Sequence, residues 1–560
     1  MEKRIFLAIL ISLGLLWGWA ALAPRLFPEL VKKPQPLAKS TDKTVDSKTP
    51  PSSATTATTA TSTTSSSPLA PAASTVAAAP GTASPISAER VQLTVVETAQ
   101  YKAVLTNRGA QLISFKLKHY PRKKSTEPED LVKAREANRS DYPFTIVPAD
   151  ASLVALNSAL YSVSDTVEMN GQRVVEYRYS NGRVTATKTF RFSPQPYLFD
   201  FAMSIQPPAP YRVAVGPGIR TLGAAEQDTQ VVTTGNGIYQ AAGKLKIVRR
   251  EKAPHLQVLP GIEYLGIEDN YFLTALRPRR AGEGVLQRVT FVDGKTKKHR
   301  EDLYAALNAN ADGTITSEAF FGPKETKLLD QYGMGEALQF GWFSLIARFF
   351  LKALLWLNKF THNYGFAIIV LTILIKMVLY PLQHKSIVSM KKMQKVQPKV
   401  EAIKAKYKKS KTDAEQRQKM NVEMMGLYQK EGINPMAGCL PLVLQLPILW
   451  GFYNLLSRAI ELRGAPWILW IHDLSDKDPT YILPILMTAT MFMQTYITPS
   501  TGDPAQRKIF LMMPLVFGFL FKDFPSGLVL YWLVQNILTI VQQLIMNKWW
   551  KQHPVEIEKA

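Results

Sequence analysis

Tyr364-Gly-Phe-Ala-Ile-Ile-Val-Leu-Thr-Ile-Leu-Ile-Lys376-Met-Val-Leu-Tyr-Pro-Leu382 is apolar along its length except for a threonine at 372 and a lysine at 376. Coiled as an α-helix it is long enough to cross a hydrocarbon core of about 30 Å, so it reads as a membrane span. Four more apolar segments follow, at about Ala437 to Leu456, Tyr481 to Ile497, Ile509 to Phe521 and Gly527 to Met546, some of them short for the full thickness. The last two meet at Phe524-Pro-Ser-Gly527, a tight turn, and are expected to form a helical hairpin whose tip barely leaves the bilayer. The C-terminal part of the chain, about 361–550, is therefore read as a five-span helical core.

Upstream, Ser344 to Lys359 is too charged to span but apolar over much of its circumference. It predicts an interfacial helix over 342–360, with Arg348, Lys352 and Lys359 near headgroups and Phe349, Phe350, Leu354 and Leu357 entering the acyl boundary. Further upstream the apolar period changes to two. Arg173-Val-Val-Glu-Tyr-Arg-Tyr-Ser180, then Asn181-Gly182, then Arg183-Val-Thr-Ala-Thr-Lys-Thr-Phe190 predicts a hairpin closed by a type I′ turn. Strand-like runs at Val91 to Val96, Tyr101 to Thr106, Ala110 to Leu117, Tyr197 to Ile205, Tyr271 to Leu276 and Val285 to Val292 extend this to an all-β sandwich domain over 89–330.

Residues 31–88 are mostly Ser, Thr, Ala and Pro with hardly an aromatic, too poor in large apolar groups to offset the entropy of ordering, and read as a disordered linker. The opening segment has Lys3 and Arg4, then an apolar run from Ile5 to about Ala23 containing Trp17 and Trp19. It is longer than a usual signal core, and Pro24 is a poor residue after a cleavage point, so residues 1–30 are expected to be an uncleaved anchor. The fold class is thus a multi-domain membrane protein with six spans in total, five of them in the helical core, plus the β-domain.

The formal net charge is +23. On a soluble chain this would raise nucleic acid as a partner, but much of the excess lies between Lys385 and Lys430, beside predicted spans. Cytoplasmic Lys and Arg fix orientation there, leaving ribosomal RNA or anionic headgroups as the other reading and no role for DNA. The connection Gln383 to Ile433 is Lys-rich and hence cytoplasmic, whereas Arg458 to Thr480 has Asp473, Asp476 and Asp478 offsetting its few cations and is external. Both termini then lie inside and the β-domain outside.

The cytoplasmic connection, 383–433, is itself patterned. Met393, Val396, Val400, Ile403 and Tyr407 recur at helical steps, answered by Met420, Met424, Leu427 and Tyr428, which predicts a helical hairpin. Pro398 marks a kink or a fresh helix start, and Lys408 to Asp413 the turn. A solubilised structural hairpin and a docking surface for incoming chains both fit. The short tail, 551–560, is nearly charge-balanced, so strong ribosome binding by it is not expected.

Lys376 carries most of the functional weight, because a cation at the centre of a span costs about 2.5–3.5 kcal/mol on insertion scales and is expected to face a bundle interior or a wet cavity. Thr372 lies one turn away on the same face. Snorkelling is the alternative, since Gln383 is only about two turns further on. The other spans add amides and hydroxyls, namely Gln445, Asn454, Thr488, Gln494, Gln535, Asn536 and Gln542, and no Asp or Glu. A proton- or cation-coupled transporter usually needs a buried carboxylate, so an electropositive hydrated cavity is the better reading.

No enzymatic motif stands out. Cys439 is the single cysteine and the histidines show no ligand spacing, so neither a metal nor a cofactor is expected. Glu127, Glu129, Asp130 and the pair Glu301-Asp302 read as solvated surface rather than a sugar-cleaving pair.

Leu379-Tyr-Pro-Leu382, Gln397-Pro-Lys399, Asn434-Pro435, Gly438-Cys-Leu-Pro-Leu442, Gln445-Leu-Pro447, Trp470-Ile-His-Asp-Leu474 and Phe524-Pro-Ser-Gly-Leu-Val-Leu-Tyr531 resemble, in order and spacing, motifs of the YidC family. The resemblance is specific over about 342–550, and the anchor, linker and external domain resemble the Gram-negative form in layout. It implies an inner-membrane insertase and chaperone with a supersandwich periplasmic domain and a hydrophilic groove open to cytoplasm and lipid. The usual groove arginine is matched here by Lys376, which keeps the charge but loses the planar fork. The usual tyrosine pair is matched by Tyr531-Trp532. Lys376, Thr372, Gln445, Asn536, Tyr531 and Trp532 are the groove residues so implied. Nascent membrane proteins, Sec translocon components, the ribosome and signal recognition particle pathway, and membrane lipids are the implied partners. Two other classes compete: a solute transporter with a basic regulatory hairpin, and an external β-domain enzyme for which the helices are only an anchor.

Overall fold

The computed structural model describes residues 84–133, 141–148, 150–168, 171–222, 234–280, 282–292, 299–407, 413–434, 440–498 and 504–552. The expected anchor, most of the expected linker, the Lys408-to-Asp413 turn up to residue 412, Pro435, Gly438-Cys439 and the tail beyond 552 lie outside the described residues.

Alternating side chains fold the first half into two antiparallel sheets. The smaller sheet has four strands, β1 (Leu93–Glu97), β2 (Tyr101–Thr106), β3 (Gln111–Pro121) and β4 (Pro128–Asp130). The larger has thirteen. It comprises β5 (Thr145–Pro148), β6 (Ser162–Val167), β7 (Arg173–Ser180), β8 (Thr185–Phe192), β9 (Leu198–Gln206) and β10 (Tyr211–Val215). It continues with β11 (Thr234–Ala241), β12 (Lys244–Val248), β13 (Leu256–Asp269), β14 (Phe272–Pro278), β15 (Gly282–Val292), β16 (His299–Asn308) and β17 (Thr314–Pro323). Aromatic side chains join the sheets: Phe115 of β3 lies 5.5 Å from Phe321 of β17 and 6.1 Å from Phe199 of β9, ring centre to ring centre.

The β7–β8 hairpin forms, but its turn differs from the sequence expectation. Ser180 pairs with Thr185, so the loop has four residues, and only Gly182 takes a positive φ, 84°. A type I′ turn needs two. Asn181 acts through its side chain instead, its Oδ1 accepting from the backbone N–H of Arg183 and Val184 at 3.0 and 2.9 Å. The strict alternation of β8 also turns Lys188 inward, fully buried. Its ammonium donates to the carbonyls of Gly109 and Phe144 at 2.7 Å each and of Ala110 at 3.3 Å.

A short helix, α1 (Thr326–Gln331), leads to the helical region: α2 (Ser344–Thr361), α3 (Tyr364–Lys406), α4 (Ala414–Lys430), α5 (Leu440–Arg458), α6 (Ile482–Ile497), α7 (Pro504–Phe521) and α8 (Ser526–Gln552). Two of them, α3 and α8, are long and apolar enough to cross a membrane, while α6 and Leu511–Phe521 of α7 are shorter apolar helices. The helix does not end where the apolar run does. α3 runs on for 43 residues through both Pro381 and Pro398, so the span and the first arm of the hairpin are one helix, and Pro398 does not start a new one.

The hairpin core consists of Met393, Val396, Val400 and Ile433, with Met424, Leu427 and Tyr428 against it. Ile403 and Met420, expected in this seam, are only half-buried and outside the cluster. Asp413 caps α4, its Oδ1 accepting from Glu415 N–H at 2.9 Å.

α2 also departs from expectation. Phe350, Leu354 and Leu357 are buried against α3 and α5 rather than turned to lipid, and Arg348 donates to the carbonyls of Leu338 and Gly335. Leu345, Phe349, Trp356 and Phe360 form the outward apolar face, flanked by exposed Lys352 and Lys359. One stripe of the helix completes the core and only the other is free for the interface.

Glu127 is exposed, as read from the sequence, but several other acidic residues read as loop charge or solvated surface are structural anchors. Asp478 is buried and caps α6, its Oδ2 accepting from Leu483 N–H at 2.7 Å. Asp476 pairs with Lys123 of the β-domain at 3.1 Å. Glu129 and Asp302 are buried too: Asp302 pairs with Lys133 at 2.6 Å, and Glu129 with Arg220 at 3.2 Å and with Arg463, from the α5–α6 loop, at 2.9 Å. Asn270 donates to the Ser457 carbonyl at 3.1 Å and Thr326 to Glu461 at 2.9 Å. The β-domain is thus seated on the end of α5 and on the α5–α6 loop.

Candidate functional site

The polar residues of α8 recur at helical steps, Trp532, Gln535, Asn536, Thr539, Gln542 and Gln543, and therefore share one face. On α3 the same spacing sets Lys376, Gln383, Ser386, Ile387 and Met390 in a column. The helices pack with these faces towards each other. With Pro441 and Gln445 from α5, Gln494 from α6 and Thr498 just beyond it, they line a recess of about 270 Å³.

The recess occupies one half of the bundle. It engages the half of α3 and α8 remote from the β-domain, and the corresponding ends of α5 and α6. The half nearer the β-domain is dry: Ile368, Leu371, Phe452, Leu455, Leu456, Met487, Leu528 and Val529 are all buried there. Its outer end is tied off by backbone bonds from Ser526 and Gly527 to the carbonyls of Asp476 and Leu474, at 2.6 and 2.9 Å.

Lys376 is the only charged side chain among the described lining residues, and it is 7% exposed. Its ammonium donates to Thr539 Oγ1 across the gap at 2.9 Å, and Thr539 donates to the Gln535 carbonyl at 2.7 Å. Asn536 donates to the Met487 carbonyl and to Thr490 Oγ1, both at 3.3 Å. Gln543 accepts from Thr498 at 3.1 Å. By contrast Gln494 Oε1, Gln535 Oε1 and both amide atoms of Gln542 are buried without a hydrogen bond among the described residues. Buried polar atoms are rarely left unpaired, so this wall has hydrogen-bonding capacity to offer an incoming polar chain or water.

Of the residues anticipated from sequence, Lys376, Gln445, Asn536 and Trp532 meet in the recess. Thr372 and Tyr531 do not line it. Thr372 is buried and donates to the Ile368 carbonyl at 2.6 Å, a bond within its own helix. Tyr531 is buried behind the wall, stacked on Phe452 at 4.5 Å and hydrogen-bonded to Gln445. Thr539, Gln383, Ser386, Thr498 and Gln543 were not anticipated; Thr539 lies three residues from Asn536, Gln383 and Gln543 lie seven from Lys376 and Asn536, Thr498 lies four from Gln494 and Ser386 ten from Lys376, so the helical step carried the signal.

Family models match nearly all of the described chain: the YidC periplasmic domain over residues 93–353 and the 60Kd inner membrane protein over residues 356–553. A protein of Syntrophus aciditrophicus called membrane protein insertase YidC is 35% identical over 570 residues, covering 98% of this chain and 100% of its own. One of the same name from Geotalea daltonii is 32% identical over 564 residues, covering 98% and 99%. A crystal structure described as an active YidC insertase with the first transmembrane domain resolved aligns at 20% identity and a TM-score of 0.36, over 82% of this chain and 94% of its own. Matched along almost its entire length at about one-third identity, and by separate models for its β-domain and its helical region, the chain belongs to the YidC family.

Proposed function

We propose that this chain is a membrane protein insertase and chaperone of the inner membrane. It takes the short hydrophilic tail of a client into the recess and releases the client's apolar helix sideways into lipid, alone or beside the Sec translocon. The observation that carries this reading is a polar wall with one cation and several unsatisfied amides, confined to one half of an otherwise apolar bundle. A polar tail entering it exchanges water for side-chain donors and acceptors, and the remaining hydrocarbon path is shorter. Partition of the client's span is then downhill, since Leu, Ile, Phe and Val each contribute about −0.3 to −0.6 kcal/mol at a helix centre. No nucleotide hydrolysis is needed in this scheme.

Lys376 attracts acidic residues of the tail, Gln445, Asn536 and Trp532 solvate or contact it, and Thr372 and Tyr531 hold the wall from behind. Six spans, cytoplasmic termini and a periplasmic β-domain complete the arrangement. The hairpin of α3 and α4, with Val422 and Met425 exposed, is the surface offered to the ribosome and the signal recognition particle pathway. In cells depleted of the native protein, Lys376→Ala is expected to lower insertion of an acidic-tailed client while Lys376→Arg preserves it. Unchanged insertion by the alanine variant would refute the attraction step. A transporter would instead give solute flux in proteoliposomes.

A further inference from the structure

A lysine at position 376 has two places to go. Gln383 is seven residues on, about 10 Å along the helix, so a flexible ammonium can lean towards the cytoplasmic headgroups or turn across the bundle into the recess. The backbone of α3 does not decide between them. Lys376 turns inward, and its one hydrogen bond among the described residues is to Thr539 Oγ1 at 2.9 Å.

Thr539 is suited to that contact by its own helix. A hydroxyl has one proton and two lone pairs, and an ammonium can only donate. The Thr539 proton is committed to the Gln535 carbonyl, one turn back, at 2.7 Å. What it presents to Lys376 is therefore acceptor character alone. The bond also leaves two of the three ammonium donors for something else, in a recess where Gln494, Gln535 and Gln542 have unpaired oxygens. An acidic or carbonyl-rich tail is what those two donors suit.

We propose that Thr539 is a positioning residue for the insertion step: it holds the Lys376 ammonium in the recess, against its escape to the headgroup layer, with its remaining donors aimed at the client. This rests on the insertase reading of the same site. A flexible lysine needs such a tether more than a rigid, forked arginine would.

The test uses the full-length chain in depleted cells, with one acidic-tailed and one uncharged-tailed client, and immunoblots for abundance. Thr539→Val keeps the shape and removes the acceptor, whereas Thr539→Ser keeps the hydroxyl. Loss of one charge-assisted hydrogen bond predicts that Thr539→Val lowers insertion of the acidic-tailed client by about three- to tenfold. The uncharged-tailed client is spared, Thr539→Ser restores the rate, and Thr539→Val adds nothing when Lys376 is already alanine. Wild-type insertion by Thr539→Val alongside an impaired Lys376→Ala overturns the proposal. So does equal loss for both clients, no rescue by serine, or full additivity with Lys376→Ala. If Lys376→Ala is itself silent, the attraction reading falls and takes this proposal with it, and that arm alone tells the two failures apart.

Discussion

Arg463 leaves the α5–α6 loop and enters the β-domain, so replacing it with alanine tests whether the two regions are held as one. Its side chain is 6% exposed. It pairs with Glu129 at 2.9 Å, donates to the Pro121 carbonyl at 3.1 Å, and lies over the rings of Tyr271 and Phe272 at 5.5 and 5.2 Å. Breaking a buried ion pair costs about 3–5 kcal/mol when the surviving charge is stranded. Glu129 is not stranded, because Arg220 stays 3.2 Å away, and that favours the lower end. Loss of the cation–π contacts adds about 0.5–1 kcal/mol. Against this, Arg463 borders a cavity of about 650 Å³ between the β3–β4 connection and the α5–α6 loop, and water from it can hydrate the vacated space. The two losses come to about 3.5–4 kcal/mol, and hydration brings the loss of docking free energy below that. Hydrogen exchange on the solubilised protein should rise in β3, β4 and residues 460–478 while the β7–β8 hairpin stays protected. Arg463→Met, which keeps the apolar stem, should fall between alanine and the native residue. Unchanged exchange in those segments, or a stability change below about 0.5 kcal/mol, would show that the docking does not depend on this side chain.

Lys188 makes the β-domain's stability depend on pH: burial pulls its ammonium from the usual lysine range down to about 7. Between pH 7 and 10 the unfolded chain keeps a proton that the folded chain releases, so stability should rise by about 1.4 kcal/mol per unit through this group and be flat below 7. Denaturant titrations at pH 7 and 9 should show this slope in the native chain and not in Lys188→Met; an equal slope in both would remove Lys188 as its source. In α7, a Cβ on Gly518 would collide with the Thr488 hydroxyl of α6, which is bonded to the Pro484 carbonyl at 2.7 Å. Gly518→Ala should therefore separate α6 from α7, costing about 1–3 kcal/mol by overpacking. A thermal shift of the solubilised protein measures it, and Thr488→Ala should relieve it.

Periodicity made the elements legible. Period two over 89–330 and long apolar runs after 361 follow from backbone geometry, which sets which neighbours share a face whatever the fold around them. Lys376, Gln445 and Asn536 came forward because a polar group in an apolar helix is conspicuous in one dimension, and Trp532 through the family resemblance. The rest needed the third dimension. Nothing in the residue string says that Phe350 and Leu354 of an amphipathic helix meet protein rather than lipid, because both are apolar media and the pattern is the same for either. Glu129 and Asp302 read as surface because a charge is stable inside only beside partners distant in sequence, Arg463 and Lys133 here, and the burial of Lys188 likewise rests on remote groups such as the Phe144 carbonyl. The direction of Lys376 was likewise open along the chain; packing α3 against α8 brought an acceptor within hydrogen-bonding reach and turned the ammonium inward.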